Sequence, residues 1–337
     1  MASAIQNAFV LGAGLGTRLR GLTARRPKPL IPICNQPLIT FAFEHLLGAG
    51  VKKFVVNTHH RAEVYAEIFP ECTYRGAAVH FEHEPVLLET GGGIKNVGRL
   101  LRDGTCIVYN GDILTDLPLA PAIAHHRERG NEVTLVLRSH GGPLHIALDG
   151  SSGRVTDIRR LLGTVPGAEF LFTGISIIEP QFIDRIPAET KISVVPIFLE
   201  MIRRGAKLGG IVIDDGDWWD LGTREQYLDV HRALKTGKVE ASRFAPLFSI
   251  RNPLSAIRNS SSPPSGLSWI HPTAQVSPRA KITGATAIGP RAKVGDGAAL
   301  SDCIVWEDAE IGFGSCLENC IVTAGQRVQG AHRDTDF

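Results

Sequence analysis

The chain has 337 residues, of which 43% are hydrophobic and 21% are charged, and its formal net charge is +2. A chain of this length is expected to form two domains, and its composition is that of an ordinary globular protein. The small net charge gives no reason to expect nucleic acid or an anionic membrane as a partner. No 18-residue apolar stretch and no signal peptide are recognisable, so neither a membrane span nor secretion is predicted. The six cysteines form no Cys-x-x-Cys pair, which favours free thiols in a reducing cytoplasm over a zinc site.

Short apolar runs alternate with helical patterns over residues 1–240. The predicted strands are 8–12, 53–57, 78–82, 105–109, 132–137, 170–177 and 209–213. The predicted helices are 37–49, 60–68, 93–100, 119–129, 180–185, 194–204 and 223–236. This alternation predicts an α/β fold with a doubly wound, mostly parallel, Rossmann-like sheet and helices on both faces. Ligands of such sheets bind at the carboxyl ends of the strands.

A second pattern follows residues 241–268, which are rich in Ser, Pro and Asn and are predicted to be a linker. Apolar residues then recur at every sixth position, and after a drift of one residue the step resumes. The positions are Ile270, Val276, Ile282, Ile288, Val294, Leu300, Trp306, Ile311 and Leu317. A period of six is typical of hexapeptide repeats, and this one resembles the left-handed parallel β-helix. We therefore predict a catalytic domain at 1–240, a linker at 241–268 and a short β-helix of about three coils at 269–330.

The most informative stretch is residues 9–32, FVLGAGLGTRLRGLTARRPKPLIP. An apolar run leads into three glycines and two basic residues: Gly12, Gly14, Gly16, Arg18 and Lys28. A glycine-rich turn after a strand exposes backbone N–H groups that bind anions. Two nearby cations suit a site that binds a polyphosphate and stabilises charge as it is displaced. The spacing fits neither the dinucleotide fingerprint nor the Walker pattern.

This stretch resembles the signature of the sugar nucleotidyltransferases, G-G-x-G-T-R-L-x-x-L-T-x-x-x-P-K-P-L-x-P. Twelve positions match: Gly14, Gly16, Thr17, Arg18, Leu19, Leu22, Thr23, Pro27, Lys28, Pro29, Leu30 and Pro32. Ala13 and Gly21 depart from it. The resemblance implies transfer of a nucleotidyl group from a nucleoside triphosphate to a sugar 1-phosphate, with release of pyrophosphate. It implies that Arg18 and Lys28 are catalytic and that the nucleotide is bound by the first loop: Leu11, Gly12, Ala13, Gly14, Gly16, Thr17 and Arg18.

Two aspartates complete the catalytic set that the resemblance implies. Asp112 follows a predicted strand and Gly111, and Asp220 lies in the segment DWWDLGT. Considered alone, each is also compatible with a turn acid or a helix N-cap. Members of the family hold a catalytic magnesium with a G-D acid and a W-x-D-x-G-T acid, which Asp112 and Asp220 match. The resemblance therefore implies that both bind Mg²⁺, a cofactor that prefers oxygen ligands.

Further segments resemble those that bind the base and the sugar. The segment ETGGGI is closest to that of N-acetylmuramate-1-phosphate uridylyltransferases, whereas mannose-1-phosphate guanylyltransferases usually carry a G-T-A-G variant. The expected nucleotide-binding residues here are Glu84, Thr90, Gly91, Gly92 and Asn110, and the expected sugar-binding residues are Glu89, Thr173 and Gly174. Gly174 interrupts a strand, which indicates either close approach of a ligand or a β-bulge. The family's Glu-Lys-Pro lysine is missing, and Arg159 or Arg160 could replace its charge.

Two other functions remain open. A catalytically silent subunit that binds nucleotide sugars should lack Arg18, Lys28 or an aspartate, yet all are present. A bifunctional enzyme would use its β-helix as an acyltransferase, but three coils are few, and the histidines His271 and His332 lie at or beyond the ends of the predicted repeats. We expect a homo-oligomer formed through the β-helix, because its end exposes strand edges. Neither the base nor the sugar can be identified from these residues.

Overall fold

The computed structural model describes residues 5–164, 167–239 and 269–337, so the predicted linker 241–268 lies outside the described residues. The chain divides into two units. Unit 1 comprises Met1–Leu15 and His45–Trp219, and unit 2 comprises Gly16–Glu44 and Asp220–Phe337. This division does not follow the predicted domain bounds of 1–240 and 269–330, which stay a prediction. The loop that carries Arg18 and Lys28, and the helix that follows Asp220, group with the repeats instead of with the sheet.

Each predicted strand and helix before residue 240 is present among the described residues, together with seven further strands that the sequence analysis did not predict. They are β1 (Asn7–Leu11), β2 (Pro32–Ile33), β3 (Gln36–Pro37), α1 (Leu38–Gly48), β4 (Lys53–Thr58), α2 (Glu63–Ile68), β5 (Thr73–Tyr74), β6 (Ala77–His83), α3 (Glu89–Asn96), β7 (Cys106–Asn110), β8 (Ile113–Thr115), α4 (Leu119–Arg129), β9 (Val133–Arg138), β10 (Ile146–Asp149), β11 (Arg154–Ile158), β12 (Ala168–Ile178), α5 (Pro180–Arg185), α6 (Val194–Arg203), β13 (Leu208–Val212), β14 (Trp218–Asp220) and α7 (Arg224–Thr236). Short 3₁₀ helices span Thr17–Thr23, Lys28–Leu30 and Gly98–Leu100.

Unit 1 is built on a ten-stranded sheet of order β10-β11-β13-β9-β12-β7-β1-β4-β6-β5. Six of the seven predicted strands run in one direction, since β7, β1, β4 and β6 pair in parallel, as do β9 and β13. Strand β12 lies between β7 and β9 and is antiparallel to both. The sheet is therefore mixed, and its shorter strands β5, β10 and β11 also pair antiparallel. Because β10 pairs with both β11 and β12, five strands form a closed ring of pairings.

The core of unit 1 explains why these apolar runs become strands. Every residue of β9, Val133–Arg138, is buried, as expected for a strand covered on both faces. Phe9 and Val55 on neighbouring strands pack in the same core as Ile183 of α5 and Phe198 of α6. No helix among the described residues is long and apolar enough to cross a membrane.

The repeats of unit 2 form three short parallel sheets. The strands are β15 (Gln275–Val276), β16 (Lys281–Thr283), β17 (Ala287–Ile288), β18 (Lys293–Val294), β19 (Ala299–Ser301), β20 (Ile304–Val305), β21 (Glu310–Ile311), β22 (Cys316–Glu318), β23 (Ile321–Val322), β24 (Arg327–Val328) and β25 (Ala331–Arg333). Their orders are β15-β18-β21-β24, β16-β19-β22-β25 and β17-β20-β23. The chain thus visits each sheet in turn, and β25 lies just past the predicted boundary at residue 330.

One position in the predicted repeat is corrected by the strand register. Ile288 pairs with Val305, not with Trp306, so the drift of one residue falls before Trp306 and not after it. Trp306 is buried, but its indole N–H donates to the hydroxyl of Tyr227 on α7 at 3.1 Å. Trp306 is therefore a contact between the repeats and α7 and does not occupy a repeat position.

A buried histidine, His231, also anchors the first loop of unit 2 through a hydrogen bond. His231 on α7 accepts a hydrogen bond from Cys34 N at Nε2 (3.2 Å), and its Nδ1 lies 2.8 Å from the carbonyl oxygen of Tyr227. Burial lowers the pKa of His231 from its ordinary 6.5 to about 4, so the ring is neutral and can accept that bond. All six cysteines, including Cys34, are free thiols.

This histidine predicts a pH dependence of stability. The unfolded chain protonates His231 near pH 6.5, whereas the folded chain resists protonation until about pH 4. The free energy of unfolding should therefore fall as the pH drops through this window, by about 3 kcal/mol. Urea unfolding of the wild type and of His231→Gln, whose amide oxygen can still accept from Cys34, measures the difference. Parallel pH profiles for the two proteins would contradict the prediction.

Candidate active site

A buried chain of hydrogen bonds joins the carboxyl ends of β1, β4 and β6 in unit 1. Gly12 N donates to Asn57 Oδ1 (2.8 Å), and Asn57 Nδ2 donates to Glu84 Oε1 (2.8 Å). Leu88 N donates to the other carboxyl oxygen of Glu84 (3.1 Å). Glu84 is 0% exposed, and both of its oxygens are used within the fold. The chain of bonds therefore links three strand ends to the start of α3.

Two glycines make room for this chain. A Cβ on Gly12 would lie 2.6 Å from Asn57 O, and one on Gly93 would lie 3.1 Å from Glu84 Oε1. The carbonyl of Gly12 also accepts from the buried hydroxyl of Tyr65 (2.9 Å). The predicted phosphate-loop residue Gly12 thus has both backbone groups engaged inside the protein, while Gly14 is exposed with nothing within 4 Å of an added Cβ.

The glycine segment at 91–93 lies inside α3, whereas the sequence analysis started this helix at residue 93. A Cβ on Gly91 would lie 2.9 Å from Ile192 O, and one on Gly92 would lie 2.5 Å from Thr190 O. Gly92 N also donates to Ile192 O at 3.0 Å. A glycine inside a helix costs about 1 kcal/mol relative to alanine. Because Gly91 and Gly92 have no side chains, the helix can pack closely against the segment before α6, and this packing requires the cost.

The two residues that precede these glycines differ in exposure. Thr90 Oγ1 accepts from Val194 N (3.0 Å), so its side chain also joins α3 to the start of α6. Glu89 is exposed and has a φ of 62°, the left-handed conformation that side chains other than glycine adopt rarely. Such strain is found most often at binding sites, which keeps Glu89 a candidate.

The interruption at Gly174 is a β-bulge. The pairing of β12 with β9 shifts register between Phe172 and Ser176, and Gly174 has a φ of 84°. A Cβ at this glycine would lie 2.6 Å from Asn110 Nδ2, so the bulge gives space to the side chain at the end of β7. The glycine is explained by this close approach, and Asn110 is positioned by it.

The neighbouring Thr173 supports the bulge from inside. Its side chain is fully buried and donates to Val136 O (2.8 Å), and its own carbonyl accepts from the indole of Trp218 (2.8 Å). The Thr173 hydroxyl therefore makes its hydrogen bond within the sheet, and its sugar-binding role stays a prediction.

Asp112 lies in the turn between β7 and β8 and is half-buried. The preceding Gly111 donates from its N–H to Leu11 O (3.0 Å), and a Cβ on Gly111 would lie 2.7 Å from that oxygen. Burial and then the negative charge of Asp112 raise the pKa of Tyr65. Leu11, Asp112 and the strand-end hydrogen bonds therefore lie at one edge of the sheet.

Unit 2 brings three of the predicted catalytic side chains together. Lys28 Nζ lies 3.5 Å from Asp220 Oδ1, and Arg18 Nη2 lies 3.5 Å from Asp220 Oδ2. The Lys28 side chain is 5% exposed and that of Arg18 is 63% exposed. A Cβ on Gly222 would lie 2.5 Å from Arg18 Cζ, so the glycine of the W-x-D-x-G-T motif makes space for the guanidinium.

Gly16 shapes the turn in front of these cations. Its φ is 62°, and a Cβ there would lie 2.9 Å from Thr23 Cγ2 and 3.1 Å from Lys28 Cβ. Thr23 Oγ1 donates to Gly16 O (3.1 Å) and closes the 3₁₀ helix that begins at Thr17. Only glycine fits this position without strain.

Comparison with known proteins identifies the family of the chain. Residues 7–158 match the family described as Nucleotidyl transferase, and residues 265–334 match the one described as GMPPB C-terminal domain. A mannose-1-phosphate guanylyltransferase from Mycobacterium tuberculosis is 30% identical over 314 residues, which cover 92% of this chain and 82% of that protein. The chain belongs to the sugar-1-phosphate nucleotidyltransferase family. It is therefore an enzyme of the nucleotidyltransferase class.

Other similarities are consistent with this family. A UTP–glucose-1-phosphate uridylyltransferase from Synechocystis sp. is 25% identical over 322 residues, covering 89% of this chain and 82% of that protein. The inositol-1-phosphate CTP transferase structure from T. maritima superposes with a TM-score of 0.57 at 15% identity, covering 67% of this chain and 93% of that one. At that identity the structural likeness shows the fold alone.

The two arginines that could replace the family's missing lysine make different contacts in this nucleotidyltransferase. Arg160 makes two hydrogen bonds to Glu169 (2.9 and 2.7 Å), which commits its guanidinium to a surface ion pair. Arg159 is exposed, and its backbone N–H donates to His145 O (2.7 Å). Of the two, Arg159 stays the candidate for a phosphate contact.

No sequence motif predicted a role for Tyr65 or Tyr227. Both hydroxyls donate hydrogen bonds to backbone carbonyl oxygens in the segment that carries the predicted site residues. Tyr65 binds Gly12 O, and Tyr227 binds Pro32 O at 2.6 Å. A buried tyrosine needs a partner for its hydroxyl, but a sequence does not say which distant carbonyl that is.

The strand-end hydrogen bonds predict a pair of variants that compensate each other. Glu84→Gln places an amide donor against either Asn57 Nδ2 or Leu88 N, and Asn57→Asp places two carboxyl groups against each other. Each single variant should lose about 1–3 kcal/mol of unfolding free energy. The double variant can make all three bonds again: the backbone N–H groups of Gly12 and Leu88 still donate, and only the bond between the two side chains is reversed. It should therefore recover most of that loss.

Urea unfolding of the four proteins in a double-mutant cycle measures this coupling. Glu82→Gln, two residues earlier on β6, is the control for loss of a half-buried carboxylate that pairs with Arg99 (2.8 Å) instead of with the strand ends. Additive losses in the double variant would show that the two side chains do not depend on each other.

Proposed function

We propose that this enzyme transfers a guanylyl group from GTP to mannose 1-phosphate, releasing pyrophosphate and forming the nucleotide sugar. A phosphate oxygen of the sugar attacks the α-phosphorus, and the bond to the pyrophosphate oxygen breaks. The choice of substrates rests on the mannose-1-phosphate guanylyltransferase that is similar over 92% of the chain, and on the match at residues 265–334. The observation that carries the chemistry is the pair of cations at 3.5 Å from Asp220.

Uridylyl transfer is the second candidate. The similarity to the Synechocystis uridylyltransferase covers 89% of the chain, and the segment ETGGGI resembles uridylyltransferases. This alternative differs from the first in the base and sugar, not in the reaction at phosphorus.

The proposed roles follow from charge and burial. Lys28 is almost fully buried, where a fixed positive charge acts more strongly than in water. It would stabilise negative charge that develops on the leaving phosphate oxygens, as would the exposed Arg18. Gly14 and Gly16 would present their backbone to the phosphates, while Gly12, Glu84 and Thr90 would hold the site's shape through bonds made inside the protein.

We also propose that Asp112 and Asp220 bind Mg²⁺. Both carboxylates are only partly buried, and they are the oxygen donors that this ion prefers. Within the part of the chain that the structure describes, no three His, Cys, Asp or Glu side chains form a metal-binding group. A site with two carboxylates therefore relies on phosphate and water for its other ligands. When bound, the ion supplies positive charge to the reacting phosphates.

The substrate proposal is tested by measuring pyrophosphate release with each of the four nucleoside triphosphates against a panel of sugar 1-phosphates. We expect the largest kcat/KM for GTP with mannose 1-phosphate. A larger value for UTP with glucose 1-phosphate would favour the second candidate. Absence of release with every pair would favour a catalytically silent binding subunit, and acetyl transfer from acetyl-CoA to an amino sugar would reveal an acyltransferase.

The metal proposal predicts that Asp112→Asn and Asp220→Asn each lower kcat about a thousandfold, because losing either ligand displaces the ion. The double variant should be little worse than either single variant, because once the ion is displaced the other aspartate has no role. Asp103→Asn, on the surface of unit 1, is the matched control and should retain wild-type turnover. Magnesium-dependent pyrophosphate release measures all four, and near-normal turnover in either single variant would overturn the assignment.

Two finer points belong to the same proposal. The repeats would form the left-handed β-helix that the sequence resembles, and through it a homo-oligomer. The exposed Phe313 in the repeats, 72% exposed, supports such a contact, which sedimentation velocity measures. The six free cysteines support a reducing compartment such as the cytoplasm.

A further inference from the structure

Two buried hydrogen bonds join the indole of Trp306 to the loop that carries Lys28. Trp306 Nε1 donates to the hydroxyl oxygen of Tyr227 (3.1 Å), and that hydroxyl donates to Pro32 O (2.6 Å). The indole N–H can only donate, so the tyrosine proton must point toward Pro32. Burial raises the pKa of Tyr227, which keeps on the hydroxyl the proton that the second bond needs.

The bonded carbonyl lies close to the catalytic lysine along the chain. Lys28 begins a 3₁₀ helix closed by the bond from Ile31 N to Lys28 O (3.2 Å), and Pro32 follows at once in β2. A shift of Pro32 therefore moves the short helix that carries Lys28. Lys28 is buried, so its ammonium cannot relax into water when the backbone moves.

The same part of the repeats holds the other side of this loop. Arg26 forms an ion pair with Glu307, and its guanidinium carbon lies 5.2 Å from the centre of the Trp306 ring. Both partners of Arg26 are partly or fully buried. Trp306 and Glu307 of the repeats therefore contact the loop at Arg26, before Lys28. Through Tyr227, Trp306 also holds the loop at Pro32, after Lys28.

Tyr227 is also tied to the aspartate that faces Lys28. Its helix α7 begins with a capping box at Thr223, where Thr223 Oγ1 accepts from Gln226 N (3.2 Å) and Gln226 Oε1 accepts from Thr223 N (3.0 Å). Tyr227 N donates to Thr223 O (3.0 Å), and Thr223 lies three residues after Asp220. One tyrosine therefore links the backbone that carries the carboxylate to the backbone that carries the ammonium.

We propose that Trp306 and Tyr227 are positioning residues that hold the Lys28 ammonium in its place beside Asp220 during nucleotidyl transfer. This inference rests on the function proposed above for Lys28. It gives the repeats a part in catalysis that requires no contact with substrate: Trp306 orients the Tyr227 hydroxyl, and the hydroxyl fixes the loop.

The test uses the full-length protein with Tyr227→Phe and, as a milder change, Trp306→Phe, each of which keeps an aromatic ring and removes one hydrogen-bonding group. We expect each to lower kcat by about tenfold to a hundredfold, since a displacement of about 1 Å is enough for that. The KM for the nucleotide should change by no more than about twofold, because ground-state binding is retained. Tyr74→Phe is the control: it removes a tyrosine hydroxyl from β5, beside the amino end of β6 and outside this pair of bonds, and should leave kcat unchanged.

A double-mutant cycle with Lys28→Ala separates positioning from a general structural role. If Tyr227 acts through the lysine, Tyr227→Phe should change kcat by less than about twofold in the Lys28→Ala background. Melting temperatures of all variants, measured in parallel, show that each one is folded. The same cycle with Trp306→Phe decides the matter if Tyr227→Phe does not fold.

The possible results point in different directions. Wild-type kcat in both phenylalanine variants, or an equal drop with and without Lys28, would overturn the positioning role while leaving the proposed function intact. Full activity of Lys28→Ala would instead overturn the role proposed for the lysine, and this inference with it.

Discussion

The site edge of unit 1 depends on one buried side chain, the carboxyl group of Glu84. It receives the Asn57 amide on one oxygen and Leu88 N on the other, and Asn57 in turn receives the backbone of Gly12. A buried acceptor left without donors is costly, so each partner is required by the others. The ends of three strands and the first turn of α3 are held in one arrangement because Glu84 and Asn57 are buried and satisfy their polar atoms within the protein. The close-packed glycines at 12 and 93 follow from the same constraint.

Unit 2 uses the same physical device with different residues. There the buried polar atoms are the hydroxyl of Tyr227 and the neutral ring of His231, and they bind the carbonyl of Pro32 and the N–H of Cys34. Both side chains lie on α7, so a single helix anchors two points of the loop that carries Lys28. A loop with little regular structure of its own is made rigid by satisfying its backbone from a neighbouring helix. This is why the loop groups with the helix and the repeats in the structure, although the sequence places it next to β1.

How far the sequence could predict this molecule depends on the range of the interaction involved. The seven helices and seven of the strands before residue 240 were predictable because apolar periodicity is local, and the α4 and α5 boundaries coincide with the prediction. The strands β2, β3, β5, β8, β10, β11 and β14 were not predicted, because they have few residues in which a pattern can be recognised. The antiparallel course of β12 was not predictable, since direction depends on pairing partners that are distant in sequence. The drift at Trp306 was misplaced because both Val305 and Trp306 are apolar, and only the register shows which one is in the strand.

The candidate site shows the same limit. The meeting of Arg18, Lys28 and Asp220 was implied by motif, and they do lie together. The glycines at 91, 92 and 174 were predicted to bind nucleotide or sugar, and those roles stay predictions. For each of them, however, the structure shows a protein atom at the contact: Ile192 O, Thr190 O or the Asn110 amide. A glycine in a sequence can indicate that another group approaches the backbone closely. It does not show whether that group belongs to a ligand or to the protein itself.

The resting arrangement of charges explains how one aspartate could serve a phosphate reaction. Two cations face Asp220 at 3.5 Å, which is longer than the 2.7–2.9 Å of a strong charged hydrogen bond. The contact between Arg18 and Asp220 is therefore long for a charged hydrogen bond. In the function proposed above, a phosphate that enters beside them would compete with Asp220 for the guanidinium of Arg18. The buried Lys28 would move least, because its loop is anchored at Pro32, whereas the exposed Arg18 has room to reorient. Such a site pairs one fixed charge with one adaptable charge, which suits a reaction in which negative charge moves from the α-phosphate to the departing pyrophosphate.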